Sequence, residues 1–362
     1  MNILIVVPND MLGGAEQYLR MVASQFLVRS YSVYVYFLKK KQTGYWEDLQ
    51  SDRLHLLYTD SSRERTGLVK LVQNILNNKN IDFDYAFTSH VHCTSLVGIL
   101  LKLNQIKVKY FIARESTSVF RRFTGIKLFT FKFLYNLGYS KVDLLICQTD
   151  YMKDQLTEAL PWLEKNVNIK TIPNPIDLDN IRTKAIESLN IEIVEPYIVS
   201  AGRLIPEKGF DILIKAFEKL TVNYSELKLI ILGEGNQQEK LEEQIQKSDL
   251  QKKVYLLGFK PNVYPYLKKA KLCVVSSRIE GFPNILLQMM SQNTKVVSTL
   301  CAGGIADMEG IYTCVVDNVD ALYDSINKCL VEDTRGNRLL FDEELKNRSI
   351  TEFLKTINRY VQ

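Results

Sequence analysis

The 362-residue chain has no run of apolar residues approaching the ~20 that a helix needs to cross a bilayer. That excludes a helical membrane-spanning segment within the sequence. The first ten residues, MNILIVVPND, lack the basic region and the cleavage site of a signal peptide, and read instead as a buried first strand. Cysteine is scarce and scattered: Cys93, Cys147, Cys273, Cys301, Cys314 and Cys329 form no CxxC pair, and most lie in apolar runs. A disulfide framework or a zinc site is therefore not expected; buried thiols in a reducing compartment are. Excess charge is also lacking. A net charge of +5 gives no reason to expect nucleic acid, though it suits a partner carrying phosphates or an anionic membrane. There is no short-period repeat and no low-complexity segment.

What is present is an ordinary globular balance, 46% apolar and 24% charged, in a chain long enough for two domains with a core each. Strand-like and helix-like runs alternate from the first residue. Ile3–Val7 is a short apolar run, followed by Ala15, Tyr18, Leu19, Val22 and Phe26 at helical spacing. Tyr31–Leu38, Leu54–Tyr58, Tyr85–Thr88, Val108–Ala113, Leu144–Cys147 and Ile169–Ile172 are further predicted strands. The alternation breaks at Thr171-Ile-Pro-Asn-Pro-Ile-Asp177, where Pro173 and Pro175 impose an extended segment. It restarts at Tyr197–Ala201 and continues through Leu227–Leu232, Val254–Leu257, Leu272–Ser276, Lys295–Ser298 and Thr313–Val316, with helices from about Gly209, Gln237 and Asn284. The prediction is an α/β chain of two doubly wound, Rossmann-like domains, residues 1–175 and 190–344, facing a central cleft. Asp342–Val361 reads as charged amphipathic helix, and its part from about 345 to 362 is expected to pack back on the first domain.

The motifs fall where strands pass into helices. Gly13-Gly14-Ala15-Glu16 follows the first strand; glycines there let the backbone approach a ligand, and a helix N-terminus attracts anions. The spacing fits neither a dinucleotide fingerprint nor a P-loop, and a plain tight turn explains it equally well. Gly202-Arg203-Leu204-Ile205-Pro206-Glu207-Lys208-Gly209 places two cations beside a helix start, where they oppose the macrodipole unless an anion is to be neutralised. Glu280-Gly281-Phe282-Pro283-Asn284 puts a carboxylate on a tight turn just before helix amides. Gly233-Glu234-Gly235 and Gly258-Phe259 end two further strands and are ordinary turns that could also admit a flat base or a ribose.

Other signals carry less. Asp82-Phe83-Asp84 matches the DxD of metal-dependent sugar transferases, but it sits at the start of a strand, on the wrong edge of a sheet. His90 and His92 lack a third ligand for a metal; a polar contact from His92 to an acceptor is the alternative. Arg121–Lys132, with Phe120, Phe123, Phe129 and Phe131 interleaved, is basic and aromatic. It reads as packing with a solvated face, or else as a membrane-surface helix.

Taken in order, GGAE, IPNPID, GRLIPEKG, LGEGNQQEKLEE, LGF and EGFPNILLQMM resemble glycosyltransferase family 4, whose members retain anomeric configuration and adopt the GT-B fold. The resemblance spans nearly the whole chain, strong in the C-terminal half and weak between about 40 and 140. It implies that Gly13 and Gly14 lie against donor phosphate and sugar. Arg203 and Lys208, beside Gly202, would grip the diphosphate, and Glu280 would contact the transferred sugar. Backbone at Gly281, Phe282, Asn284 and Ile285 would frame sugar and phosphate, and Gly258, Phe259 and Lys260 would meet the base. Two departures stand out. The second Glu of the EX7E signature, which usually accepts the ribose hydroxyls, is Gln288, which keeps an acceptor oxygen but loses the charge. The His that many members carry after the fifth strand is replaced in a region reading Ala113-Arg114-Glu115-Ser116, so Arg114 or Glu115 stands in its place.

The function so implied is metal-independent transfer of a sugar from a nucleotide-sugar, UDP-linked, to a glycan or lipid-linked acceptor in assembly of a bacterial surface polysaccharide. No cofactor, metal or nucleic-acid partner is expected, and the expected location is the cytoplasm, with peripheral contact to the inner membrane. The alternative is a non-catalytic, glycosyltransferase-like binding subunit, motivated by Gln288 and the missing His.

Overall fold

In the computed structural model the chain forms two units, Met1–Pro175 with Ile350–Gln362, and Ile176–Ser349. The structure describes residues 1–11, 13–39, 44–59, 67, 70, 72–75, 81–117, 119–188 and 196–361.

The described residues of unit 1 form seven strands: β1 (Asn2–Val7), β2 (Ser32–Phe37), β3 (Leu54–Tyr58), β4 (Asp82–Thr88), β5 (Lys107–Arg114), β6 (Leu144–Cys147) and β7 (Ile169–Thr171). They pair in the order β3-β2-β1-β4-β5-β6-β7, and every pairing is parallel. From Ile3 to Val7, β1 is wholly buried, as a strand covered on both faces must be, which is why its sequence runs apolar without alternation. Helices α1 (Gly14–Val28), α2 (Val91–Lys102), α3 (Val119–Arg122), α4 (Gly125–Gly138), α5 (Asp150–Ala159) and α6 (Pro161–Asn166) accompany the strands. On one side, Tyr18, Leu19, Val22 and Phe26 of α1 meet Ile3, Ile5 and Val7. On the other, Leu96, Val97 and Leu100 of α2 and Tyr135 of α4 meet Leu4, Val6 and Phe111. Helices α2 and α4 touch backbone to backbone: a Cβ on Gly98 would lie 2.0 Å from the Gly138 carbonyl oxygen.

The described residues of unit 2 form six strands, β8 (Tyr197–Ala201), β9 (Lys228–Leu232), β10 (Val254–Leu256), β11 (Leu272–Val275), β12 (Val296–Thr299) and β13 (Tyr312–Cys314). Their order is β10-β9-β8-β11-β12-β13, again with parallel pairings. Its helices are α7 (Leu178–Lys184), α8 (Phe210–Leu220), α9 (Gln238–Lys247), α10 (Tyr264–Lys269), α11 (Asn284–Gln292), α12 (Val319–Val331) and α13 (Asn337–Asn347). Leu213, Phe217 and Leu220 of α8 pack on one face of the sheet, and Leu286, Leu287 and Met290 of α11 on the other.

Two boundaries differ from the sequence reading. Unit 2 begins at Ile176, not near 190, because Ile176 and the α7 residue Ile181 are buried in its core; residues 189–195 lie outside the described chain. The expected single terminal helix is two. Helix α13 stops where the Arg348 carbonyl accepts from Ile176 N (2.8 Å) and Ser349 bridges to Ile176. The next helix, α14 (Ile350–Val361), belongs to unit 1, where Tyr18 meets Phe353 edge-on at 5.6 Å and Tyr85 Oη donates to Asn358 Oδ1 at 3.1 Å. All six cysteines are buried, and none forms a disulfide. Among the described residues, no helix is long and apolar enough to cross a membrane.

Candidate active site

In unit 2 the loops leaving β8 and β11 are tied together. Gly209 has φ +62°, and a Cβ there would fall 2.1 Å from the Ser276 carbonyl oxygen, so only glycine suits the turn into α8. Ser276 Oγ donates to the Lys208 carbonyl at 2.9 Å, and Arg278 N donates to the Glu207 carbonyl at 2.7 Å. The Arg278 guanidinium forks onto Asp211 at 2.8 and 2.7 Å, donates to Asp317 at 2.8 Å, and reaches the Pro206 carbonyl at 2.6 Å. Although desolvation opposes it, the bonds from Arg278 hold the Asp211 carboxyl below its ordinary range. The bond to Asp211 in turn raises Arg278.

This clamp sets Lys208 Nζ on Glu280 Oε1, and the same oxygen accepts from Ser277 Oγ at 2.9 Å. Both side chains are mostly buried, with 17% and 18% of their surface left. The Glu280 amide donates to the Cys301 carbonyl at 2.9 Å, fixing the turn to the end of β12. Gly202 makes room for the lysine stem, since a Cβ there would lie 3.3 Å from Lys208 Cδ and Cε. Arg203 is exposed. Next door, Gly233 has φ +145° and passes so close to Gly202 that a Cβ would meet its carbonyl oxygen at 1.9 Å. Gly233 N donates to the Gly258 carbonyl at 2.8 Å, and Glu234 Oε1 accepts from Phe259 N at 3.2 Å. The carboxyl ends of β8, β9, β10 and β11 thus carry an ammonium, a carboxylate and an exposed guanidinium. They stand at the edge where open α/β sheets bind ligands.

Unit 1 has its own polar layer at the carboxyl ends of its strands. A Cβ on Gly13 would sit 2.5 Å from Glu16 Oε2, so the glycine is occupied by the carboxylate of its own helix. Glu16 Oε1 lies 3.4 Å from Nε2 of His90, the N-cap of α2. Burial, then His92 and Arg114, lower His90 to about 3, leaving the imidazole neutral at physiological pH. Arg114, 3% exposed, donates to Ser89 Oγ (3.2 Å) and to Asn174 Oδ1 (2.5 Å) and stacks 4.6 Å over the Tyr18 ring. Burial lowers its pKa to about 10, so it stays charged. Tyr18 Oη, His90 Nδ1 and Arg114 Nε are buried without a hydrogen-bond partner among the described residues. Left so, each costs about 1–3 kcal/mol, which favours a polar ligand or water meeting them.

Residues 181–344 match the family model described as glycosyl transferases group 1, which covers nearly all of unit 2. That stretch of unit 2 is thus similar to glycosyl transferases group 1. An uncharacterized glycosyltransferase of Methanocaldococcus jannaschii is 34% identical over 194 residues, which is 52% of this chain and 47% of that protein. The Campylobacter jejuni N-acetylgalactosamine-N,N'-diacetylbacillosaminyl-diphospho-undecaprenol 4-alpha-N-acetylgalactosaminyltransferase is 29% identical over 266 residues, 72% of this chain and 70% of the relative. The chain thus spans about half to seven-tenths of these curated relatives. Among solved structures, Anabaena HepE in complex with UDP and glucose has a TM-score of 0.77 at 18% identity, covering 99% of this chain and 98% of that one. Sucrose-phosphate synthase from Thermosynechococcus elongatus gives 0.76 at 18%, with the same coverage. The fold is GT-B.

Within unit 2 the structure brings Lys208 and Glu280 into contact and places Gly202 beneath them. Phe282 is buried under the Arg348 guanidinium (5.2 Å), so its ring serves packing, with its backbone leading through Gly281 and Pro283 to Asn284 and Ile285 of α11. Gln288, half-buried, lies one turn further along α11, and Phe259 and Lys260 follow the β10 turn. In unit 1, Arg114 joins the polar layer and His92 lies beside His90, ring centroids 5.7 Å apart. Glu115 points the other way, as the residue after Arg114 should: Tyr135 Oη and Tyr139 Oη donate to it at 2.8 and 3.2 Å. Asp82 and Asp84 stand at the amino end of β4, where Asp84 accepts from Asn2 N at 2.8 Å. Sequence reasoning passed over Arg278, gave Glu16 no role, and weighed His90 only as a metal ligand or an acceptor contact. Glu16 was visible as the last letter of GGAE; Arg278 carried no signal, because its partners Asp211 and Asp317 are 67 and 39 residues away.

Proposed function

We propose that this chain is a retaining glycosyltransferase. It moves a sugar from a UDP-linked donor, held by unit 2, to a lipid-diphosphate-linked saccharide in surface-polysaccharide assembly, with no metal. The observation that carries the reading is the Lys208–Glu280–Ser277 cluster, built by the Arg278 clamp inside the stretch similar to glycosyl transferases group 1. Breaking the bond between an anomeric carbon and a diphosphate leaves negative charge on the departing phosphate. Lys208 has two ammonium protons beyond the one given to Glu280, and Arg203 adds a planar fork of donors. Aimed at that charge from a fixed loop, they do the work a divalent cation would do. Glu280 keeps Oε2 for a sugar hydroxyl, while Oε1 is held by Lys208 and Ser277, which orients the ring for attack. The donor assignment is supported by the UDP and glucose bound in the Anabaena protein. The acceptor assignment is supported by the diphospho-undecaprenol saccharide in the Campylobacter relative's name and by the orphaned polar atoms around Arg114.

The test is transfer from a panel of UDP-sugars to undecaprenyl-diphosphate saccharides, with and without excess chelator. Turnover unchanged by chelator is expected, with the anomeric configuration of the donor kept in the product. Loss on chelation restored by manganese would contradict the metal-free mechanism; no turnover with any pair would favour a binding subunit.

A further inference from the structure

We propose that Arg348 is a positioning residue for the turn that carries Glu280: its guanidinium, anchored on Glu344, pins the ring of Phe282 and so fixes the turn from its far end. The inference rests on the reading of Glu280 as the group that meets the donor sugar. The first half of the turn is held through its backbone. Arg278 N donates to the Glu207 carbonyl at 2.7 Å, and Glu280 N to the Cys301 carbonyl at 2.9 Å. The second half is held differently. Among the described residues, neither Gly281 nor Phe282 makes a backbone hydrogen bond. Gly281 has no side chain to anchor, and Pro283 has no N–H to give. The Phe282 ring is what seats this half. It is 7% exposed and lies in one buried cluster with Ile176, Leu286, Phe341 and Leu345.

Arg348 covers that ring. It is the C-cap of α13, where a cation meets the negative end of the helix. Its Nε donates to Glu344 Oε1 at 2.5 Å, one turn back, and 13% of its side-chain surface is left exposed. The guanidinium carbon lies 5.2 Å from the centre of the Phe282 ring, within the reach of a cation–π contact. The backbone of the same residue is fixed as well. Its carbonyl accepts from Ile176 N at 2.8 Å, and Ser349 bridges to Ile176. Ile176 and Ser349 are where the chain enters and leaves unit 2. A helix end, an ion pair and a backbone bridge thus place one guanidinium over one ring. Without that cover the ring is free to tilt, and its tilt moves Glu280 on one side and the first turn of α11 on the other. Arg348 acts through Phe282, which is why it is a positioning residue and not a catalytic one.

Hydrogen exchange of the full chain, with no donor present, reads the turn directly. The Glu280 amide reports its opening, and the Ile176 amide reports the bridge. Arg348→Met keeps the stem and the carbonyl but removes the charge. Exchange at Glu280 should quicken about fivefold in Arg348→Met and in Phe282→Leu, with no further gain when the two are combined. Ile176 should keep the parental rate in both. Arg348→Lys, which returns a cation, should fall between Arg348→Met and the parent. In UDP-sugar cleavage Arg348→Met should lose about tenfold in kcat. Its affinity for UDP should not change, because UDP carries no sugar for Glu280 to meet. Parental exchange at Glu280 in Arg348→Met, equal quickening at Glu280 and Ile176, or additive effects in the double variant would overturn the proposal. So would an unaltered kcat in Arg348→Met where the parent turns over. The exchange measurement needs no donor, so a parent that cleaves no UDP-sugar would contradict the transferase assignment while exchange still decides the role of Arg348.

Discussion

Replacing Arg278 with Ala tests whether the clamp, rather than the loop sequence alone, positions Lys208. The guanidinium makes two bonds to Asp211, one to Asp317 and one to the Pro206 carbonyl. Its side chain is 27% exposed, Asp211 41% and Asp317 59%. A buried bidentate pair would contribute more, but solvent screens these groups, and exposed ion pairs give about 0.2–1 kcal/mol. With the carbonyl bond added, the loss should be about 1–2 kcal/mol, a melting shift of roughly 2–8 °C for a unit of this size. The pH dependence is a second constraint. The carboxyl of Asp211 is held below its ordinary value of 3.8. Its contribution is therefore full above that pH and lost as pH falls through the lower, folded-state value. The stability gap between parent and variant should be constant from about pH 5 to 8 and should close in stronger acid. Turnover should fall further than stability, about tenfold, because a loop released by even 1 Å misplaces the ammonium. Calorimetry across pH, with kcat on the same samples, measures both. A variant with parental turnover, or a gap that persists unchanged below the folded-state pKa of Asp211, would refute the clamp.

Other outcomes follow from single residues. Gln288→Glu should strengthen donor binding by calorimetry and leave the chemical step unaltered, if Gln288 meets the ribose; unchanged affinity with lower stability would assign it to packing. Burial pushes Glu115 up to about 7 from 4.5, so the folded state holds a proton that the unfolded chain releases. Stability should fall by roughly 3 kcal/mol as pH rises from about 4.5 to 7, and Glu115→Gln should flatten that slope in denaturant titrations. Gly209→Ala forces a left-handed backbone and a collision with the Ser276 carbonyl. It should lower stability by about 1–3 kcal/mol and cost activity by shifting Lys208, whereas Gly336→Ala, where a Cβ meets nothing within 4 Å, should do neither.

How much of this was legible in the sequence depends on how local each cause is. The strands were, because β1 and β8 are buried along their length and their apolar runs are continuous. The Lys208 and Glu280 motifs were, because each sits on a glycine-punctuated turn beside a helix start. The boundary at Ile176 was not. Only burial of Ile176 and Ile181 under α11 and its neighbours distinguishes that stretch from a polar linker. The break between α13 and α14 was also hidden: no Gly or Pro marks it, and it arises from the pairing of Arg348 and Ser349 with Ile176. Arg114 and Glu115 looked equivalent as neighbours in sequence. Strand alternation sends one to the polar layer and the other to Tyr135 and Tyr139.

The most direct test of the central claim, that Lys208 and Arg203 rather than a metal stabilise the departing diphosphate, is the single-turnover rate of UDP-sugar cleavage in excess chelator. Parent, Lys208→Ala and Arg203→Ala would be compared at saturating donor. The account predicts a parental rate indifferent to chelator and a fall of ~10²–10³ in each variant. A parental rate abolished by chelator, or variants that cleave as fast as the parent, would contradict it.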